Sequence, residues 1–410
     1  MRTKAKSIGF TAVLALSVAA LFMTPTPATA QTETVIYNFG QTSTDAFEPY
    51  YANLLLDGSG NLYGLSVKGG AYGDGGGPLA GTVYELKPRA SGGWNEAVLH
   101  SFNPSSGDGF DGFNGLIMDA AGNIYGTTYL GGTSNNGTVF EMVRGSSGWS
   151  ERIIHSFGAE GMYPTDNLIL DAAGNLYGGT SQGGATGNGM IFELMHTIGG
   201  GWAERVLLSF DSTTGPAGPL MLDGSGNLYS STPSGGVNGY GMVFELMRRP
   251  GGVWTEKVLY NFQSATDANG GGPLIMDSAG NIYGLTAIGG IFTDGSLFKL
   301  KPLAGGAWSE TVLYSFLSGC ELPQGNFVRD ASGNFFGACY QGGPYFAGGV
   351  FEVSPGPGGT YTETTLHNFG NTGDGGYVRS GVTADSSGNL FGTTVLGGLY
   401  GGGTVWELTP

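Results

Sequence analysis

The chain has 410 residues, 40% of them hydrophobic and 80 of them Gly, with 16 Lys plus Arg against 32 Asp plus Glu, a formal net charge of −16. A surface this acidic repels nucleic acid and anionic membranes, so neither is expected as a partner. The Gly residues follow no triplet period and sit among Val, Ile, Leu, Phe, Tyr and Trp, which excludes a collagen and predicts a core punctuated by turns.

Residues 1–30 read as a secretory signal peptide. Arg2, Lys4 and Lys6 precede the apolar run Ile8–Met23, and Ala28-Thr29-Ala30 offers a small-x-small cleavage site. Cleavage there takes the formal charge to about −19. No Cys follows the apolar run, no second run of membrane length occurs, and Trp406-Glu-Leu-Thr-Pro410 carries no anchor. The expectation is an exported, monomeric protein without a membrane span in its mature chain, secreted, periplasmic or at the cell surface.

From residue 31 onward one element recurs. Asp-x-x-Gly-Asn begins at Asp57, Asp119, Asp171, Asp223, Asp277, Asp330 and Asp385. The intervals of 62, 52, 52, 54, 53 and 55 residues point to a propeller, since a β-helix uses shorter rungs. The third repeat shows four strand-like runs: A at Leu168–Asp171, B at Asn175–Thr180, C at Met190–Leu194 and D at Trp202–Phe210. Strand A is apolar throughout and is expected to be buried on both faces. Four short strands per repeat predict an all-β, seven-bladed β-propeller of four-stranded blades over residues 31–410.

In each Asp-x-x-Gly-Asn turn, Asp suits the first position of a type I turn and Gly the left-handed position three residues later. The seven Asp residues are therefore read as turn formers and not as metal ligands. The D motif also occurs at Glu33–Phe39, ahead of the first complete repeat, while the last repeat lacks one. That N-terminal strand is expected to complete the last blade and close the ring. The first B-to-C loop, Val67–Ala80, carries a Gly-rich insertion. The sixth repeat holds the two Cys residues, Cys320 and Cys339, and an exported chain predicts a disulfide between them. A hairpin about Asp330–Asn334 would set Gly325 near Cys339.

At the level of Asn123-Ile-Tyr-Gly-Thr-Thr128, Gly131-Gly132 and Gly137-Thr-Val-Phe-Glu-Met142, the repeats resemble the GloVer (Gloeobacter–Verrucomicrobia type) tandem repeats of "choice-of-anchor" exported proteins. The resemblance spans nearly all of residues 31–410 and implies no particular chemistry. The Asp-x-x-Gly-Asn hairpin is also similar to that of NHL-type propellers, mostly interaction modules.

Candidate chemistry lies outside the repeated positions, because a repeated residue usually serves the repeat. His100, His155 and His367 share a strand-D position with Tyr37, Leu208, Tyr260 and Tyr314. That exchange reads as packing, and no metal site is expected from it. Acids and aromatics gather in the D-to-A loops, at the same end of the blades as the B-to-C loops. They predict an acidic, aromatic mouth containing Asp45, Glu48, Tyr50, Asp108, Asp111, Tyr163, Asp374 and Tyr377. Aromatic rings with carboxylates suit sugars, and equally Ca²⁺ or a basic peptide. The expected role is a binding or interaction module for carbohydrate or protein, with no catalytic residue and, apart from Ca²⁺, no cofactor. The alternatives are a carbohydrate-active hydrolase or lyase using Asp108 with Asp111, or Glu48 with Asp374, as acid and base, and a structural cell-surface protein.

Overall fold

The computed structural model describes residues 31–410 apart from 52, 74–79, 212–217, 265, 268–269, 318 and 372. The leader reading of residues 1–30 lies outside them, as does part of the insertion in the first B-to-C loop.

Each Asp-x-x-Gly-Asn unit forms the tight hairpin between strands A and B. At Asp171, Oδ1 accepts the backbone N–H groups of Ala173 and Asn175 at 2.8 and 2.9 Å. Its Oδ2 takes Asn175 Nδ2 at 2.8 Å and lies 3.0 Å from the Tyr177 hydroxyl. Gly174 sits at φ +85°, where a side chain would be strained. Apart from Arg248 Nη1 of the next blade at 3.8 Å, the partners of this carboxylate lie in its own hairpin. The same Tyr hydroxyl reaches Glu193 Oε1 in strand C at 3.0 Å, and Glu193 pairs with Arg205 in strand D. Tyr63 with Glu85, Tyr125 with Glu141 and Tyr229 with Glu245 repeat the link. The recurring strand-C Glu thus ties the turn to the middle of its blade.

Antiparallel sheets follow in the order A-B-C-D, four-stranded in six blades and five-stranded in the third, where Gly161–Pro164 also pairs with strand B. Blade two runs Ile117–Met118, Ile124–Thr128, Thr138–Gly145 and Gly148–Ser156. Strand A is short, and half-buried where burial on both faces was expected: Leu55–Leu56 and Ile169–Leu170 are both only two residues long. Its two residues face opposite neighbours, Ile169 in the wedge with blade four and Leu170 in the wedge with blade two, and at the innermost edge each stays partly exposed. Blade six differs, with a strand A running Glu321–Arg329. There Pro323, and not Gly325, lies opposite Cys339, because the register slips between Gln324 and Val328. Cys320 and Cys339 form a disulfide with their Cα atoms 5.4 Å apart.

The ring closes through its termini. Thr32–Asn38 pairs antiparallel with Thr404–Thr409, Thr34 facing Glu407, and becomes the outer strand of the seventh blade. No free end of the array remains.

The core consists of wedges between neighbouring blades. One joins Tyr63, Leu65 and Phe102 of blade one to Leu116, Ile124 and Phe140 of blade two. The Phe ending each D motif packs against the strand-C aromatic of the next blade, as in Phe102–Phe140 at 5.4 Å and Phe157–Phe192 at 5.1 Å between centroids. That ring lies over the strand-B Gly of its own blade. A Cβ on Gly126 would stand 2.5 Å from Phe140 Cζ, and one on Gly178 would stand 2.6 Å from Phe192 Cζ. These glycines are seats for rings and not turn residues. Gly126→Val should cost about 2–3 kcal/mol through overpacking, read as a lowered thermal midpoint; a variant melting with the wild type would contradict this packing.

Candidate functional site

The D-to-A and B-to-C loops share one end of the ring and pair there. Ala46–Phe47 bonds to Lys68–Gly69, and Gly109–Phe110 to Leu130–Gly131. The D-to-A loops then turn inward through residues at positive φ, including Glu48, Asp111, Tyr163 and Tyr377. Several of these reach back to the B-to-C loop of the preceding blade: Glu48 N–H donates to Gly402 O at 2.9 Å and Tyr163 N–H to Asn136 O at 2.8 Å. Beyond the bend the chain descends to strand A at the axis.

There the loops enclose a cavity of about 520 Å³ lined by Tyr50, Tyr51, Asn53, Phe113, Asn167, Gln324, Asn326 and Arg379, with Pro and Gly residues from the other blades. Asn53 and Asn167 each stand just before the first apolar residue of strand A. Asn53 Oδ1 accepts Asn326 N–H at 3.2 Å and Asn167 Oδ1 accepts Gly115 N–H at 2.5 Å. With the oxygens so engaged, each NH₂ group has no protein partner among the described residues. Gln324 Oε1 is buried without a donor.

Half of the rim is an unbroken aromatic arc. Tyr163 stacks on Tyr129 at 4.8 Å, Tyr129 meets Phe113 at 5.1 Å, Phe113 meets Tyr50 at 6.1 Å and Tyr50 meets Tyr51 at 4.8 Å. Arg379 continues it, its guanidinium carbon 4.7, 4.9 and 3.7 Å from the ring centroids of Tyr50, Tyr51 and Tyr340. Tyr377 follows Tyr340 at 5.6 Å.

The eight candidate residues therefore separate. Tyr50 lines the cavity, and Tyr163 and Tyr377 end the arc. The carboxylates do not line it. Asp45 accepts Gly40 and Gln41 N–H at 2.9 and 2.8 Å. Asp108 accepts Asn103 and Gly109 N–H at 3.1 and 2.7 Å and faces His100 Nε2 at 2.9 Å. Asp374 lies 3.3 Å from His367 Nε2 and Glu48 is 2.9 Å from Lys68 Nζ. Asp111 is buried with an unpartnered Oδ1, and burial pushes its carboxyl up to about 6. The expected acidic mouth is thus replaced by one whose only charged lining side chain, among the described residues, is Arg379. The reason is local: short Gly-rich loops leave backbone N–H groups unpaired, and the nearest carboxylates fold back to accept them.

Those carboxylates meet a partner that sequence separation conceals. In six of the seven blades the Glu opening the D motif lies against the loop acid of the preceding blade; Glu363 is the exception among the described residues. Glu151 joins His100 and Asp108, and Glu204 joins His155 and Glu160, in each case with one ligand atom per residue all within 4.8 Å of one another. Either trio could hold a divalent cation. Where Tyr replaces His, Glu96 bonds Asp45 beside Tyr37, and Glu310 bonds Asp267 beside Tyr260. The repeat keeps the paired carboxyls without an imidazole, so their recurring role is to join blades. No residue type announces this, because the partners belong to different repeats.

The Gloeobacter/Verrucomicrobia repeat model matches residues 114–325 and 270–410. The chain belongs to this repeat family. No curated protein sequence matches it significantly. Among solved structures, this family member is similar to a proposed 6-phosphogluconolactonase from Bacteroides uniformis, with 11% identity, a TM-score of 0.50, and coverage of 79% of this chain and 86% of that one. A gluconolactonase from Xanthomonas campestris shares 15% identity at a TM-score of 0.41, over 71% of this chain and 82% of that one. At such identities the likeness concerns the fold, and the chemistry of this repeat protein has to be read from its own cavity.

Proposed function

We propose that this propeller is an exported binding module that holds a saccharide in its axial cavity. The observation that carries the reading is the lining itself: Tyr50, Tyr51 and Phe113 beside the side-chain amides of Asn53, Asn167 and Gln324 in a cavity of about 520 Å³. Flat rings accept the apolar face of a sugar, and amides with a free donor or acceptor match its hydroxyls. The volume falls in the range that small-molecule sites occupy. A binding role is favoured over hydrolysis because Asp108, Glu48 and Asp374 are engaged by their own loops, His100, Lys68 and His367. Glycoside cleavage needs two carboxyls flanking one bond.

The test is calorimetric titration of the purified protein with a panel of plant and microbial oligosaccharides, followed by chromatography of the incubated sugars. Saturable binding weakened about fivefold or more by Tyr50→Ala or Phe113→Ala is the expected result, since stacking is worth about 1 kcal/mol or more per ring. Cleaved products would overturn the binding reading in favour of an enzyme. A panel without any binder would remove the saccharide.

A further inference from the structure

We infer that the saccharide held in the axial cavity carries a carboxylate, as a hexuronate does, and that Arg379 is the group that recognises it. The inference rests on the proposed binding role of the cavity and adds the charge class of its ligand.

The first observation is the charge of the site against that of the whole. In a chain of formal charge −16, the one charged side chain lining the cavity among the described residues is a cation. Some cations elsewhere stand beside carboxylates, as Lys68 by Glu48, Lys87 by Glu85, Arg152 by Glu141 and Arg205 by Glu193, while others, such as Arg144 and Arg329, lie over aromatic rings away from the cavity. Arg379 has no carboxylate partner among the described residues. An acidic surface gives an anion no long-range attraction, so a ligand of that charge must be recognised locally.

The second observation is how Arg379 is held. Its guanidinium lies 3.7 Å from the Tyr340 centroid, with Tyr50 and Tyr51 at 4.7 and 4.9 Å. One Nη1 hydrogen bond goes to the Tyr51 hydroxyl. The three rings surround the planar group, their centroids 3.7 to 4.9 Å from its carbon, and a single hydrogen bond occupies part of its edge. The remaining N–H donors keep the fork that matches a carboxylate with two parallel bonds. A Lys would offer charge but neither the stack nor the fork.

The third observation is the polarity of the floor. Asn53 and Asn167 have their oxygens engaged by backbone N–H groups, so their free ends are donors. Two amide donors and a guanidinium outnumber the one unpartnered acceptor among the described lining residues, Gln324 Oε1, and call for a ligand rich in acceptors. A neutral sugar balances donors and acceptors in its hydroxyls; a uronate replaces one hydroxyl donor by two acceptor oxygens and a charge.

The experiment compares a galacturonate trisaccharide with its methyl ester, which keeps the rings and hydroxyls and removes the charge. Titrations of both use the purified full protein at 50 and 300 mM salt, with Arg379→Gln and Arg379→Lys alongside. The acid is expected to bind at least about tenfold more tightly than the ester, a preference that shrinks with salt and disappears in Arg379→Gln, because a charge-assisted pair is worth more than about 1.5 kcal/mol. The ester should lose less affinity than the acid in that variant, and Arg379→Lys should recover only part of the preference. Equal affinity for acid and ester in the wild type overturns this inference and leaves the saccharide reading standing. So does an acid preference that survives Arg379→Gln. If Arg379→Gln fails to fold, the wild-type comparison and Arg379→Lys still decide. Absence of binding by acid, ester and every neutral sugar overturns both readings. An Arg379-dependent response to a polyglutamate peptide, with none to the trisaccharide, replaces the sugar by an acidic protein segment.

Discussion

A chain lacking residues 31–39 should not form the closed ring. The segment supplies the outer strand of the seventh blade, paired along Thr32–Asn38 with Thr404–Thr409. It also supplies Phe39, fully buried and edge-on to Tyr84 of blade one at 5.0 Å. Phe39→Ala alone should cost about 3–5 kcal/mol. Losing the strand as well exposes the edge of Thr404–Thr409 and the wedge around Leu54, Leu62 and Val405. That loss is comparable with the whole net stability of a typical protein, about 5–15 kcal/mol. Thermal melting and gel filtration should show a lost cooperative transition and association through the free edge. Peptide 31–39 added in trans should restore part of the transition. A truncated monomer melting with the full chain would show that the ring does not need this closure.

Stability should fall as the pH rises from about 5 to above 8. Burial first, and a neighbouring carboxylate second, raise the interblade Glu residues from an ordinary value of 4.5. Glu96 beside Asp45 and Glu310 beside Asp267 are pushed up to about 8. Glu33 beside Asp374, Glu151 beside Asp108 and Glu204 beside Glu160 are pushed up to about 7. A carboxyl raised in the fold holds its proton there after the unfolded chain has released its own. Its favourable contribution is therefore complete below the unfolded value and declines through the window up to the folded one. His155 and His367 act in the opposite sense: burial lowers both below 6.5, so their contribution is present above that value and fades as the pH drops. Asp57, Asp171 and Asp277 are lowered below 3.8, chiefly by hydrogen bonds within their turns acting against burial, and their contribution is lost in stronger acid.

These five interblade carboxyls, with Asp111 and Asp166 raised in the same sense by burial, outweigh two imidazoles and place the maximum near pH 5–6. After allowing for solvent screening of the half-exposed interblade groups, about 1 kcal/mol each is reasonable. Together they should lower the thermal midpoint by about 5 °C between pH 5.5 and 8.5. Glu96→Gln, which mimics the protonated acid, should raise the midpoint at pH 8.5 and leave it unchanged at pH 5. A midpoint constant across that range would show that these carboxyls ionise freely within the fold.

The fold was legible because its determinants are local. Asp171, Gly174 and Asn175 make their turn almost entirely from their own side chain, backbone and φ preference. Seven copies at a period near 53 then leave few architectures open. The orphan motif Glu33–Phe39 announced the closing strand for the same reason. The candidate site was legible only in its aromatics. Tyr50, Tyr163 and Tyr377 were picked out from loop composition, and they do reach one arc. Arg379, Asn53 and Asn167 were not, since a lone Arg or Asn carries no signal until its neighbours are known.

Blade number, strand order, turn chemistry and the pairing of the ends are properties that the amino-acid sequence determined alone, through near-neighbour preferences repeated along the chain. Which charges face the axis was decided by the tertiary structure. The loop acids look solvent-facing in sequence, yet backbone N–H groups and the Glu of the next blade draw them into the seams. Arg379 remains at the mouth, held by three tyrosines, two of them more than 300 residues away as Tyr50 and Tyr51. A side chain's partner across a ring depends on closure, and closure is a property of all seven blades together.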